Sequence, residues 1–85
     1  LYGLWIRALC DTGEYQRALT LARRAVSEFP TELDLAISLG NVLDVTGEVE
    51  ESRDVFLRAC ELDDSSALAR FNLGAAYERL GDEQK

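Results

Sequence analysis

An all-α fold, built as a repeat array of antiparallel helix pairs, is what this sequence predicts. Three observations carry it. Gly13, Gly47 and Gly81 stand 34 residues apart, twice over, and each is followed by an acid (Glu14, Glu48, Asp82). Each glycine ends a run whose apolar residues fall at helical spacing. No segment alternates with the period of two that a half-buried strand needs. A recurrence of this length marks a unit too small to bury its own apolar face, which must therefore stack on its neighbours.

The spacing predicts a first helix from Leu1 to Thr12, with Tyr2, Trp5, Ile6 and Leu9 on its apolar face. Gly13 closes it, because glycine takes the left-handed conformation at no steric cost. A second helix runs from Glu14 to Glu28 along Ala18, Leu19, Ala22, Ala25 and Val26, until Pro30 breaks the hydrogen-bond ladder. Thr31 with Asp34 reads as a capping box for the third helix, which carries Leu35, Leu39, Val42 and Leu43 and ends at Gly47. The fourth, Glu48 to Leu62, carries Val49, Val55, Phe56 and Ala59. The run Asp63-Asp64-Ser65-Ser66 is the next turn and cap. The fifth, Ser66 to Leu80, carries Ala69, Leu73, Ala76 and Tyr77 and ends at Gly81.

At 85 residues the chain is one small domain with a thin margin of buried apolar surface. It opens inside a periodic pattern and has no Met, so it reads as a piece of a longer protein. No apolar run approaches the ~20 residues of a membrane span, which sets membrane partners aside. Cys10 and Cys60 lie 50 residues apart, without metal-site spacing, and read as reduced packing residues. Reduced cysteines fit the cytoplasm. The net charge of −7 is uneven: residues 31–64 carry Arg53 and Arg58 against ten acids. Such a surface argues against nucleic acid, whose binding rests on basic contacts to phosphate.

Several positions recur together at the same period. The large residue of the first helix is Trp5, Leu39 and Leu73, followed by Ile6, Gly40 and Gly74, and then by Leu9, Leu43 and Tyr77. In the second helix the small crossing residue is Ala18 and Ser52, followed by Ala22 and Phe56, then Ala25 and Ala59, with Pro30 closing the first unit. This pattern resembles the tetratricopeptide repeat. The resemblance implies a right-handed superhelical α-solenoid of five helices in a single domain, 1–85, with units at about 1–32, 33–66 and an incomplete 67–85. It places close helix approaches at Gly40 and Gly74, where a side chain larger than alanine is expected to overpack. It also places Trp5 and Tyr77 in core packing rather than on a ligand.

Catalysis has little to draw on. There is no His, and hence no triad or imidazole base, and the acidic pairs stand at helix starts or turns. No enzyme activity, cofactor or metal is expected. The resemblance instead implies a protein-interaction module, in which the first helix of each pair lines a concave groove for a peptide or a helix of a partner. The groove residues it singles out are Ile37, Asn41, Asp44, Phe71, Asn72 and Glu78, with Arg7 in the first unit. Asn41 and Asn72 resemble the asparagines that bracket a peptide backbone, since an amide offers both donor and acceptor. The basic residues of a carboxylate clamp are absent, and Ile37 stands where the first lysine would be. Glu48, Glu50, Glu51, Asp54 and Glu61 are expected to be mostly solvated on the convex back. Leu73, Tyr77 and Leu80 on the fifth helix lack a partner helix in this sequence and predict self-association as a homodimer. The alternative to a groove ligand is a structural spacer or oligomerisation segment of a larger protein.

Overall fold

The computed structural model describes residues 2–84, with side chains described through residue 81. Leu1, the expected start of the first helix, and Lys85 lie outside the described residues, as does the side chain of Asp82. Five α-helices run in order among the described residues: α1 (Tyr2–Asp11), α2 (Tyr15–Glu28), α3 (Leu33–Val45), α4 (Val49–Leu62) and α5 (Ala67–Gln84). No strand occurs among them. Three-residue turns join α1 to α2 and α3 to α4, so each pair lies antiparallel.

Both tight turns are built the same way. Gly13 and Gly47 take φ of 80° and 89°. The Glu14 amide then donates to the Leu9 carbonyl (2.8 Å) and the Gly13 amide to Cys10 (3.0 Å). The Glu48 and Gly47 amides do the same to Leu43 (2.8 Å) and Asp44 (3.1 Å). This is the Schellman arrangement, which satisfies carbonyls that a helix end leaves open. The Thr12 and Thr46 hydroxyls add bonds to the Leu9 and Leu43 carbonyls, at 3.1 and 3.0 Å. Gly81 departs from the expectation. It has no positive φ, and α5 runs through it to Gln84. No helix folds back after it among the described residues. A glycine inside a helix costs only about 1 kcal/mol.

The helix starts are mixed. Ser66 caps α5 as expected, its hydroxyl accepting the Ala69 amide at 3.1 Å. The Thr31–Asp34 capping box does not form, because α3 begins at Leu33 with Glu32 as its flanking residue and no side-chain cap. The reason lies in the turn after α2: the Glu32 amide bonds back to the Phe29 carbonyl (3.2 Å), and this holds Thr31 inside the turn.

Two apolar clusters share α3. Leu35, Leu39, Val42 and Leu43 pack with Ile6 of α1 and with Ala18, Ala22 and Ala25 of α2. Ala36 and Ile37 pack with Phe56 and Ala59 of α4 and with Ala69 and Ala76 of α5. A helix apolar on nearly every side is one enclosed by its neighbours. The α3–α4 crossing is the tightest point among the glycines. A Cβ placed on Gly40 would lie 2.5 Å from the Phe56 ring, so only glycine lets the ring rest on the α3 backbone. Ser52, fully buried, donates its hydroxyl to the Gly40 carbonyl at 2.8 Å. At Gly74 the same construction meets nothing within 4 Å, so the overpacking expected there does not occur among the described residues.

Candidate functional site

The groove is expected on the first helices of the pairs, α1, α3 and α5. An ion pair ties two of them: Arg79 of α5 donates to Asp44 of α3 at 2.7 Å. Asn41 precedes Asp44 by about one helical turn, and Asn72 precedes Arg79 by two. Between α1 and α3 lies a cleft of about 360 Å³, lined by Gly3, Ile6, Arg7, Cys10, Ser38, Asn41, Val42 and Val45. It has mostly apolar walls with one cation and one amide at the rim. Burial raises the Cys10 thiol above its ordinary value, and the neighbouring Asp11 charge adds to this. The thiol is thus held protonated, which suits packing rather than reactivity.

The expected site residues divide. Asn41, Phe71 and Glu78 are exposed, and Asn72 and Asp44 are half-buried. Phe71, at 72% exposure, is one of the most open apolar side chains among the described residues. Asp44 is not a free charge in the groove, since Arg79 offsets it. Ile37 is a correction. It is 7% exposed and belongs to the core with Phe56, Ala69 and Ala76, so it offers nothing to a ligand. The apolar residues on all sides of α3 were the signal for this.

The expected self-association trio also separates. Leu80 is 5% exposed and Leu73 is half-buried against the second cluster, so neither stands open. Leu80 lies beside the Gly47–Glu50 segment, at the turn into α4. Tyr77 is open at 46%, not packed in the core as expected, because the side of α5 that carries it faces no helix among the described residues.

Two features were not legible in the sequence. Trp5, expected in the core, is 59% exposed. It lines a depression of about 500 Å³ between α1 and α2, with Leu9, Leu21, Arg17 and Arg24 among its neighbours. Second, Glu51 is not simply solvated. It accepts two bonds from the Arg23 guanidinium, one of them at 2.9 Å, and so links α4 to α2. The bond from Arg23 holds the Glu51 carboxyl below its ordinary range. No single spacing rule connects residues 28 apart on different helices.

Among the described residues, no group of three or more metal-ligating side chains converges, and no helix is long and apolar enough to cross a membrane. No curated protein matches the chain. A family described as TPR repeat matches residues 38–81, just over half of the sequence. Repeats of this family generally mediate protein–protein interaction and are typically non-catalytic. The match spans α3 from Ser38 onward, all of α4 and most of α5, including the Gly40–Phe56 crossing and the Thr46-Gly47-Glu48 turn, and the chain belongs to the tetratricopeptide-repeat family.

Proposed function

We propose that this chain presents the surface formed by α1, α3 and α5 to an extended or helical peptide segment of a protein partner. What supports the reading is the Arg79–Asp44 pair that ties α5 to α3, with Asn41 and Asn72 one and two helical turns from it along their own helices and Phe71 exposed on α5. Two amides on helices tied in this way offer paired donor and acceptor groups to a main chain. Phe71 supplies apolar area, and Arg7 at the rim of the neighbouring cleft supplies a cation. Glu78 and the neutralised Asp44 adjust charge rather than anchor the ligand. Ile37 has no part in the contact. The proposal calls on no catalytic group, cofactor or metal, and on no carboxylate clamp.

Peptides selected from a random 12-residue library on the 85-residue chain test the proposal. Asn41→Ala and Asn72→Ala are each expected to weaken the selected peptides by about three- to tenfold, as loss of one hydrogen bond does. Amidating the peptide C-terminus is expected to leave affinity within about twofold, well short of the loss that removing a clamped charge brings. Binders indifferent to both asparagines, or binders that require a free carboxylate, would overturn it.

A further inference from the structure

The seam between α1 and α3 and the seam between α3 and α5 use the same positions, 34 residues apart, and fill them differently. Between α3 and α5, Ile37 is buried in one cluster with Ala69 and Ala76, and the Asp44–Arg79 pair bridges the two helices. In the seam before it, Gly3 is the counterpart of Ile37, Cys10 of Asp44 and Val45 of Arg79. Glycine brings no side chain, and a thiol and a valine make no bridge. What remains is the cleft of about 360 Å³ that Gly3, Cys10 and Val45 all line. Val42 stands where α5 has the smaller Ala76, yet it does not close the cleft. A Cβ on Gly3 would meet nothing within 4 Å, so the place of the missing side chain is open. Both walls belong to described helices, one to α1 and the other to α3.

Size and chemistry select an occupant. The volume is at the small end of the roughly 300–1,000 Å³ of ligand pockets, room for a side chain rather than a cofactor. Ile6 and Val42 are buried in the walls, and Val45 is exposed beside them. Arg7 is exposed at the rim, and among the described residues it enters no ion pair within the chain. Glu32 and Asp34 share a second depression with Arg7, and neither pairs with it. A carboxylate arriving beside the cleft therefore meets a guanidinium that no carboxylate of the chain holds.

We infer that the cleft takes one aliphatic side chain, of Ile, Leu or Val, from a protein segment in which a neighbouring acidic side chain meets Arg7. The inference rests on the groove reading above and adds the chemistry that anchors the ligand. The incoming side chain occupies the volume that Ile37 fills one unit later. Apolar walls reward an aliphatic group, whereas a polar one would lose its water without a full set of partners. The net charge of −7 opposes acidic segments in general. One acid at Arg7, rather than an acidic run, is what this surface admits.

The 12-residue peptides selected on the 85-residue chain test it. They are expected to carry Ile, Leu or Val with Asp or Glu within about two residues, the reach of an extended segment across the rim. Gly3→Ile, which fills the cleft from within, is expected to weaken them by about tenfold or more. Its thermal midpoint should hold or rise, because the new side chain meets open space and replaces a poor helix former. Changing the aliphatic anchor to Ala should cost about tenfold on the parent chain but less than about twofold on Gly3→Ile. Arg7→Glu should weaken binding by about tenfold, and changing the peptide's acid to Lys should restore it to within about threefold. Saturating peptide should slow alkylation of Cys10 by about fivefold or more and leave Cys60 of α4 within about twofold. Asn72, on α5 and outside the cleft, reads the groove separately. Binders weakened by Asn72→Ala but indifferent to Gly3→Ile would overturn the inference and leave the groove reading standing, as would unprotected Cys10. Binders indifferent to both asparagines would overturn the groove reading and the inference with it.

Discussion

Helices α3 and α5 hold the same register 34 residues apart, and they meet opposite fates. Leu39, Gly40 and Leu43 of α3 are buried, and the glycine lies under the Phe56 ring. Their counterparts on α5 are Leu73, half-buried, Gly74, open, and Tyr77, largely exposed. Ile37 is core while its counterpart Phe71 is solvent-facing. The two helices carry related residues at these positions, so residue type does not decide the outcome. Whether a second helix lies against them does.

The two complete helix pairs sharpen the lesson. In α3–α4 the crossing is Gly40 under Phe56; at the corresponding positions of α1–α2 stand Ile6 and Ala22, both buried. Bulk has moved from the second helix to the first, and the crossing stays filled either way. Close packing asks for filled volume rather than for a particular residue. Phe56→Ala should therefore be the most damaging single truncation, costing about 3–5 kcal/mol in a denaturant titration. Gly40→Ile combined with Phe56→Ala should recover part of that loss by recreating the α1–α2 solution, whereas Gly40→Ile alone should destabilise. A double variant that is simply the sum of the singles would show that the two sites do not share one volume.

A smaller effect separates the convex side from the crossing. The Arg23 bond keeps the folded pKa of Glu51 below its unfolded value. The stability it contributes is present above the unfolded value, near pH ~4.3, and is lost as pH falls through the folded one. Glu14, Glu28 and Asp63 are lowered as well, first by hydrogen bonds from Thr12, Tyr2 and Ser65 respectively, and act in the same direction. Stability should therefore decline on acidification through that range. Glu51→Gln should make the decline shallower by only a few tenths of a kcal/mol, because both partners are more than a third exposed and water screens them. An acid limb unchanged in Glu51→Gln would mean the bridge adds nothing between α2 and α4.

The fold was legible because its signals are local. Gly13 and Gly47 announce their turns, Ser66 its cap, and the alanines of α2 their buried face. What failed depended on neighbours. Trp5, Tyr77 and Gly74 carry core-like residue types, yet no helix among the described residues covers them. Ile37 and Leu80 looked like surface but are enclosed by α5 and by the turn into α4. Thr31 lost its cap to a turn bond made by the adjacent residue. Of the candidate site, the family resemblance assigns Asn41, Asn72 and Phe71 to the first helices of their units, and α3 and α5 carry them. The Asp44–Arg79 and Arg23–Glu51 pairs were not legible, since they join helices that no short spacing relates.

The claim that one register is closed on α3 and open on α5 is tested most directly by one pair of thermal melts, at a few micromolar, of Gly40→Leu and Gly74→Leu. Overpacking at Gly40 should cost on the order of 1–3 kcal/mol. At about 4–8 °C per kcal/mol for a domain of this size, that lowers the midpoint by about 4 °C at the least. Gly74→Leu adds a side chain in open space and exchanges a poor helix former for a good one, so its midpoint should hold or rise by a few degrees. Equal losses from both substitutions, or a Gly40→Leu midpoint that does not move, would contradict this account.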